Sequence, residues 1–277
     1  MADVQQKLAN LVQRLAELRS VVVAFSGGVD SGLVLRAAVL ALGPRRVLGV
    51  TGRSPSVPQR EIEQVAGLAA EMGAPHAFLD TAEFDDPRYL ANPSNRCYFC
   101  KSELYARLAA LAAERGLATV VSGVNADDLS DYRPGLQAAG EHGVRAPLAE
   151  LGLGKADVRA LSAALRLSIH DKPASPCLSS RVQYGESITP EKLGRIDAAE
   201  ALLRELGFSD CRVRHHDALA RIEVPATEVA RLADPGVREA VDRRLRELGY
   251  RYVTLDLRGL RSGSMNDVLL GHALAAN

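Results

Sequence analysis

Apolar and polar positions follow two periods in the first part of the chain. Runs of strand length predict strands at residues 21–25, 47–51, 76–80 and 118–122. Helical spacing of apolar positions predicts helices at residues 3–18, 32–40, 59–72, 101–115 and 155–167. Strands that alternate with helices indicate an α/β fold, a doubly wound parallel sheet with helices on both of its faces.

The order of elements changes near Gly185. The pattern there predicts a helix at 188–206, paired strands at 210–215 and 219–224, helices at 227–233 and 236–248, and a last strand at 251–257. We therefore expect a first domain of residues 1–184 and a smaller α+β domain of residues 185–277. The smaller domain has no glycine-rich nucleotide loop, so we expect it to supply substrate contacts or an oligomer interface.

A polar loop at residues 26–31, Ser-Gly-Gly-Val-Asp-Ser, joins the first predicted strand to a predicted helix. Such a loop collects backbone N–H groups at the positive end of a helix dipole, which is a site for an anion. Gly27 and Gly28 allow the backbone to approach a phosphate closely, and Ser26 and Ser31 add hydroxyl donors. The simpler alternative is a glycine-rich turn without a ligand.

Asp30 is unusual in such a loop, because a carboxylate beside phosphates needs a cation between them. Mg²⁺ is usually held by one or two carboxylates together with phosphates, so Asp30 is predicted to bind Mg²⁺. The loop lacks the Lys that ends the Gly-Lys-Ser/Thr type of phosphate loop.

A second polar loop at residues 123–128 directly follows the fourth predicted strand. Ligands of parallel sheets bind beyond the carboxyl ends of the strands, so this loop is predicted to face the first. Gly123, Asn125 and Asp127 are candidates for nucleotide contacts, as is Asp128. A solvated turn is the alternative, because Asn, Asp and Gly are common in turns.

The four cysteines divide into three groups. Cys97 and Cys100 form a C-x-x-C pair, which by itself fits zinc, a disulfide or a cluster. Cys177 lies far away in sequence, in a segment with two prolines. No second closely spaced pair completes a structural zinc site, whereas three thiolates fit a [4Fe–4S] cluster with one open iron. Cys211 lies in a predicted strand and is expected to be buried and inert.

Composition limits the classes of function. The 277 residues carry 34 basic and 34 acidic side chains, so no net charge attracts the chain to nucleic acid or a membrane. No apolar run has the length of a membrane span, and the N-terminus lacks the pattern of a signal peptide. With so few cysteines, the expected location is the reducing cytoplasm.

Arg212 and Arg214 alternate on a predicted strand, so their side chains are expected on one face. Two guanidinium groups on one face are suited to bind a phosphate. The alternative is an exposed sheet face, with Glu200 and Glu223 as ordinary surface acids.

Three motifs together, residues 26–31, 123–128 and 173–181 (Pro-Ala-Ser-Pro-Cys-Leu-Ser-Ser-Arg), give nearly the whole chain a resemblance to one family. The chain resembles the LarE family, sulfur transferases of nickel-pincer nucleotide biosynthesis within the PP-loop ATP pyrophosphatases. The resemblance implies ATP and Mg²⁺ as cofactors and a pyridinium-3,5-biscarboxylate mononucleotide as the small-molecule substrate. Adenylation of a carboxylate would release pyrophosphate, and attack by sulfur would release AMP and leave a thiocarboxylate. The product later binds nickel for lactate racemase and related enzymes.

The resemblance also implies roles for individual residues. Members with one cysteine sacrifice its sulfur, whereas members with three hold a [4Fe–4S] cluster, so Cys97, Cys100 and Cys177 indicate the second kind. The substrate and its phosphate are assigned to Ser180, Arg181, Glu200, Arg212, Arg214 and Glu223. A sulfur donor and a homo-oligomer are expected as partners, and stable binding of nucleic acid is not.

Three other functions compete with this one. A tRNA-thiolating enzyme of the same superfamily would need a basic groove or an RNA-binding module, and the balanced charge favours neither. An amidotransferase-type synthetase would leave the three cysteines without a role. A non-enzymatic nucleotide sensor would bind ATP without releasing pyrophosphate.

Overall fold

The computed structural model describes residues 2–130 and 134–261, which form two compact units. The first unit comprises the residues up to 89 together with 95–175. The second comprises residues 90–94 together with those from 176 onward. This division falls before the expected boundary at residues 184 and 185, and the second unit includes a short segment from the middle of the first.

The first unit is an α/β structure. Its described strands are β1 (Val21–Ala24), β2 (Val47–Arg53), β3 (His76–Asp80) and β4 (Thr119–Val121). Its described helices are α1 (Ala2–Ala16), α2 (Val29–Leu42), α3 (Gln59–Glu71), α4 (Pro87–Leu90, whose last residue belongs to the second unit), α5 (Arg96–Glu114), α6 (Pro134–Glu141), α7 (Pro147–Glu150) and α8 (Lys155–Ala164).

The four strands form one parallel sheet in the order β3-β2-β1-β4. The predicted α/β fold with a parallel sheet is therefore confirmed. The chain runs outward from β1 through β2 to β3 and then returns to pair β4 with the other side of β1. The strand order thus reverses between β1 and β4, and this switch point is where open α/β sheets bind their ligands.

Each face of the sheet is covered by apolar side chains. Val21 and Val23 of β1 pack into a core with α1, α2, α3 and α8, whereas Val22 packs into a second core with α5 and α6. Alternate residues of a strand point to opposite faces, so a continuous apolar run such as β1 is typical of a strand buried on both sides.

The second unit is α+β. Its described helices are α9 (Pro190–Glu205), α10 (Val229–Leu232) and α11 (Pro235–Glu247), and its strands are β5 (Arg212–His216), β6 (Leu219–Glu223) and β7 (Tyr252–Leu255). β5 and β6 are antiparallel, and β7 is parallel to β6. Thr189 caps α9 by accepting the amide of Lys192 at 3.3 Å.

One helix begins earlier than predicted. The helix predicted at residues 101–115 corresponds to α5, which begins at Arg96 and so has Cys97 and Cys100 in its first turn. The periodic apolar positions that predicted the helix start only at Leu104, so they could not reveal this polar and aromatic first turn.

Candidate functional site

The loop of residues 26–31 between β1 and α2, which we call the phosphate loop, is held by its own hydroxyl groups. The Ser31 hydroxyl donates to the Gly28 carbonyl at 3.2 Å and accepts the Ser26 amide, also at 3.2 Å. Gly27 has a φ of 73°, a conformation that glycine adopts without steric cost. α2 begins directly after Gly28, so the loop brings backbone N–H groups and a helix N-terminus to one place, as an anion site requires.

The loop after β4 lies against this first loop. A Cβ atom at Gly123 would be only 2.6 Å from the Ser31 amide nitrogen and 2.9 Å from the Asp30 carbonyl carbon. No side chain fits in that space, because all of these neighbours are backbone atoms. The predicted approach of the two polar loops is therefore present in the structure.

A side-chain hydrogen bond joins the two loops. The Asn125 side-chain amide donates to Asp30 Oδ1 at 2.7 Å. Asn125 is itself fixed by Asp128. The backbone amide of Asp128 donates to Asn125 Oδ1 at 3.2 Å, and the Asp128 carboxylate accepts the backbone amide of Asn125 at 3.3 Å. Asn125 and Asp128 are both buried, so the alternative of a solvated turn is wrong for these two residues.

Asp127 has a structural role at the start of α8. Its carboxylate accepts the backbone amide of Lys155 at 2.8 Å, in the first turn of α8. A carboxylate at this position satisfies a free helix N–H and interacts favourably with the helix dipole. The structure thus places Asp127 in the second loop, with one oxygen directed to α8.

Two charged residues that the sequence reasoning missed lie at the phosphate loop. The Lys172 ammonium group donates to the Gly27 carbonyl at 3.1 Å and to Glu61 Oε2 at 2.7 Å. Glu61 is in the first turn of α3 and is buried. Lys172 and Glu61 are 111 positions apart, so no local pattern indicated the pair.

A third polar group lies beyond β2 and β3. The buried carboxylate of Glu83 accepts the hydroxyl of Ser54 at 2.6 Å and that of Ser56 at 3.3 Å. Ser54 follows β2 and Glu83 follows β3, so their bond ties the two carboxyl ends of these strands together. No motif or periodic pattern indicated this contact.

The cysteines fall in both units. Cys97, which is exposed, and Cys100, which is partly buried, are three residues apart on α5 and so share a helix face. Cys177 belongs to the second unit and precedes a 3₁₀ turn at Leu178–Arg181. Cys211 is buried, as expected. Among residues 2–130 and 134–261, no three His, Cys, Asp or Glu side chains form a metal-binding group.

Arg181 fixes the backbone around Cys177. Its guanidinium group forms a two-bond ion pair with Glu200, at 2.9 and 3.1 Å. One nitrogen also donates to the carbonyls of Pro176 and Cys177, at 2.7 and 3.1 Å, and to the Ser180 hydroxyl. Burial raises the pKa of Glu200, but the charge and hydrogen bonds of Arg181 outweigh it, so this pKa lies below its usual value.

The arginines of β5 are also buried. Arg214 donates two hydrogen bonds to Glu223 Oε2, at 3.0 and 2.8 Å, and one to the Ser180 carbonyl. Arg212 donates to Asp210 and to the Cys211 carbonyl. The pKa of Arg212 is lowered, mainly by burial and also by repulsion from Arg181. The alternative of an exposed sheet face is therefore wrong, and Glu200 and Glu223, at 1% and 0% exposure, are not surface acids.

A parallel sheet with a Ser-Gly-Gly-x-Asp-Ser loop at its switch point defines the class of the PP-loop ATP pyrophosphatases. The family model for NAD synthase matches residues 1–109. The chain is 43% identical to the pyridinium-3,5-bisthiocarboxylic acid mononucleotide synthase of Lactiplantibacillus plantarum, over 99% of each chain. It is 48% identical to an uncharacterized protein of Synechocystis sp., over 96% of this chain and 98% of that one.

A more distant match is the tRNA-specific 2-thiouridylase MnmA of Azorhizobium caulinodans, 31% identical over 65% of this chain and 55% of that one. The full-length matches decide the family. The chain belongs to the LarE family of ATP-dependent sulfur transferases within the PP-loop superfamily.

No helix in the described part of the chain has the length and apolar character needed to cross a membrane. The cytoplasmic location stays a prediction from the sequence.

Proposed function

We propose that the chain activates the carboxylates of pyridinium-3,5-biscarboxylic acid mononucleotide with ATP and converts them to thiocarboxylates. The name of the Lactiplantibacillus relative specifies a product with two thiocarboxylic acid groups. A precursor with two carboxylates is the corresponding substrate. The dithio product would serve nickel-pincer cofactor synthesis, including that of lactate racemase.

One observation carries the proposal. Gly123 allows the second loop to meet the phosphate loop, and Asn125 then directs one oxygen of Asp30 across the switch point. The phosphate donors and an oriented carboxylate are therefore assembled within one unit of the chain. A glycine-rich turn without a ligand would not need this second layer of hydrogen bonds.

The donor set at Asp30 fits Mg²⁺. Mg²⁺ prefers oxygen ligands, retains several waters and is bound by one or two carboxylates together with substrate phosphates. The half-buried Asp30 provides one such carboxylate, and bound ATP provides the phosphates. When bound, Mg²⁺ would neutralise charge on the departing pyrophosphate.

Each half of the reaction balances. A carboxylate oxygen of the substrate attacks the α-phosphorus of ATP, and the bond from that phosphorus to the bridging oxygen breaks, releasing pyrophosphate. A sulfide sulfur then attacks the acyl carbon, and the carbon–oxygen bond to AMP breaks. N–H groups of the loop after β1 stabilise the charge that develops on the phosphates.

We propose that Cys97, Cys100 and Cys177 hold a [4Fe–4S] cluster. The chemistry of the donor set supports this, because none of the four cysteines is in a disulfide and Cys97 and Cys100 share a helix face. When bound, the cluster would supply the transferred sulfide, and a separate sulfur donor would replace it after each turnover. A homo-oligomer stays a prediction from the sequence.

We assign the substrate's own phosphate to the second unit, at Ser180, Arg181, Arg212 and Arg214. The support is the concentration of guanidinium groups there, of which Glu200 fixes Arg181 and Glu223 fixes Arg214 in buried ion pairs. A guanidinium held in this way is well suited to bind phosphate, because little side-chain entropy remains to be lost.

The experiment measures AMP and pyrophosphate in the presence of the pyridinium substrate. The wild type should release both, and Asp30→Asn should lose most of this activity while it remains folded. Asp242→Asn is the matched control, because this acid forms an exposed ion pair with Arg246 on α11 of the second unit. Release of ADP and phosphate, or full activity of Asp30→Asn, would contradict the proposal.

A further inference from the structure

Glu61 and Lys172 form an ion pair beside the phosphate loop, and the proposed reaction gives neither residue a role. The ammonium group contacts both Glu61 Oε2 and the carbonyl of Gly27, so it lies at hydrogen-bond distance from the loop itself. The Lys172 side chain is only 20% exposed and that of Glu61 only 8%. The pair is thus shielded from most of the solvent. Electrostatic interactions are stronger in such an environment than in water.

The second oxygen of Glu61 faces another cation. Arg60 Nε is 3.6 Å from Glu61 Oε1, and Arg60 also donates to the Ser175 hydroxyl at 3.4 Å. Glu61 therefore has one cation at each of its carboxylate oxygens. Arg60, Glu61 and Lys172 together carry one net positive charge, and we name these three residues the pyrophosphate clamp.

The position of Lys172 is fixed by a helix. Arg159 of α8 donates to the carbonyls of His170 and Lys172, both at 3.2 Å. The backbone of Lys172 is thus held from α8 while its ammonium group is held at the phosphate loop. A lysine that only solvates the surface would not need restraints at both ends.

Charge balance explains why cations are required at this point. ATP brings several negative charges to a loop that already has the carboxylates of Asp30 and Glu61 near it. Mg²⁺ at Asp30 offsets one part of this charge. Without Lys172 and Arg60, the Glu61 carboxylate would repel the phosphates across a poorly solvated space.

We propose that Lys172 and Arg60, oriented by Glu61, bind the β- and γ-phosphates of ATP and stabilise pyrophosphate as it leaves. The inference rests on the proposed adenylation. As the bond from the α-phosphorus to the bridging oxygen breaks, its electron pair stays on that oxygen and the new charge develops on pyrophosphate. Lys172 contacts the loop that binds this group, and Arg60 is paired with the same Glu61, so both cations lower the energy of that charge.

The test compares the affinities of ATP and AMP, measured by calorimetry with Mg²⁺ present. Lys172→Met should weaken ATP about ten- to a hundredfold, as expected for the loss of a hydrogen bond to a charged group, and should leave AMP unchanged. Lys172→Arg should restore most of the affinity for ATP. Lys7→Met is the matched control, because Lys7 pairs with Asp3 and Asp157 on the α1 side of the unit.

Two results would overturn the clamp. One is an equal loss of affinity for ATP and AMP in Lys172→Met, which would show that the lysine only supports the loop. The other is an unchanged affinity for ATP. Because binding needs no pyridinium substrate, wild-type protein that binds ATP but releases no pyrophosphate with that substrate would refute the proposed function separately.

Discussion

Replacing Gly123 with alanine should separate the two loops of the nucleotide site. The added methyl group would lie 2.6 Å from the Ser31 amide nitrogen and 2.8 Å from the Ser31 Cα atom, whereas ordinary contacts begin at 3.4 Å. Both neighbours are backbone atoms at the start of α2 and have no rotamer to change. The second loop must therefore move by roughly 1 Å, and this movement takes the Asn125 side-chain amide away from Asp30.

Two magnitudes follow from this displacement. Overpacking of a close contact costs about 1–3 kcal/mol in the free energy of unfolding. A shift of about 1 Å in a reacting geometry reduces turnover by about a hundredfold. Gly123→Ala should thus remain largely folded under ambient conditions and lose far more activity than stability.

The assay combines thermal unfolding with the rate of pyrophosphate release. Gly67→Ala is the matched control, because it adds the same methyl group to an exposed glycine of α3 with no heavy atom within 4 Å of the new Cβ. It should be neutral or slightly stabilising, since alanine is favoured over glycine inside helices. The reasoning is refuted if Gly123→Ala releases pyrophosphate as fast as Gly67→Ala does.

Two more predictions concern the cysteines and the acid range. Alanine at Cys97, Cys100 or Cys177 should abolish the visible absorbance of anaerobically reconstituted protein, whereas Cys211→Ala should retain it; dehydroalanine at Cys177 in an active Cys97→Ala, Cys100→Ala protein would exclude the cluster. The hydrogen bond from Arg145 lowers the pKa of Glu150 to about 2. The stability that the ionised Glu150 carboxylate adds to the folded state is therefore complete above the ordinary pKa of 4.5 and is lost as the pH falls towards 2. Between those pH values the wild type should lose about 1–2 kcal/mol more unfolding free energy than Glu150→Gln in denaturant titrations; parallel pH curves would contradict this assignment.

The sheet and its nucleotide loop were predictable because their signals are local. β1 is a continuous run of apolar residues, and β3 has the predicted bounds at His76–Asp80. The strand–loop–helix order then determined where residues 26–31 and 123–128 would lie. Parallel pairing brings the carboxyl ends of β1 and β4 together whatever the details of packing.

The charged partners were not predictable, since ion pairs between distant segments leave no periodic pattern. Arg214 and Glu223 are recognisable as candidates on neighbouring strands, but the sequence could not show that they are buried together. The Glu61–Lys172 pair joins α3 to a loop after α8, and only the folded unit reveals it. The early start of α5 at Arg96 was missed for a related reason, because its first turn lacks apolar periodicity.

The contact between Asp127 and Gly154 constrains how relatives of this chain evolve. A Cβ atom at position 154 would lie 2.9 Å from Asp127 Oδ1, so any larger residue there would displace the carboxylate that caps α8. The two positions should therefore change together across the family, with glycine at 154 retained wherever an acid is retained at 127. A lineage that lost both would have to anchor α8 in another way. The backbone at Lys172 depends on the same anchor, because Arg159 of α8 donates to the Lys172 carbonyl.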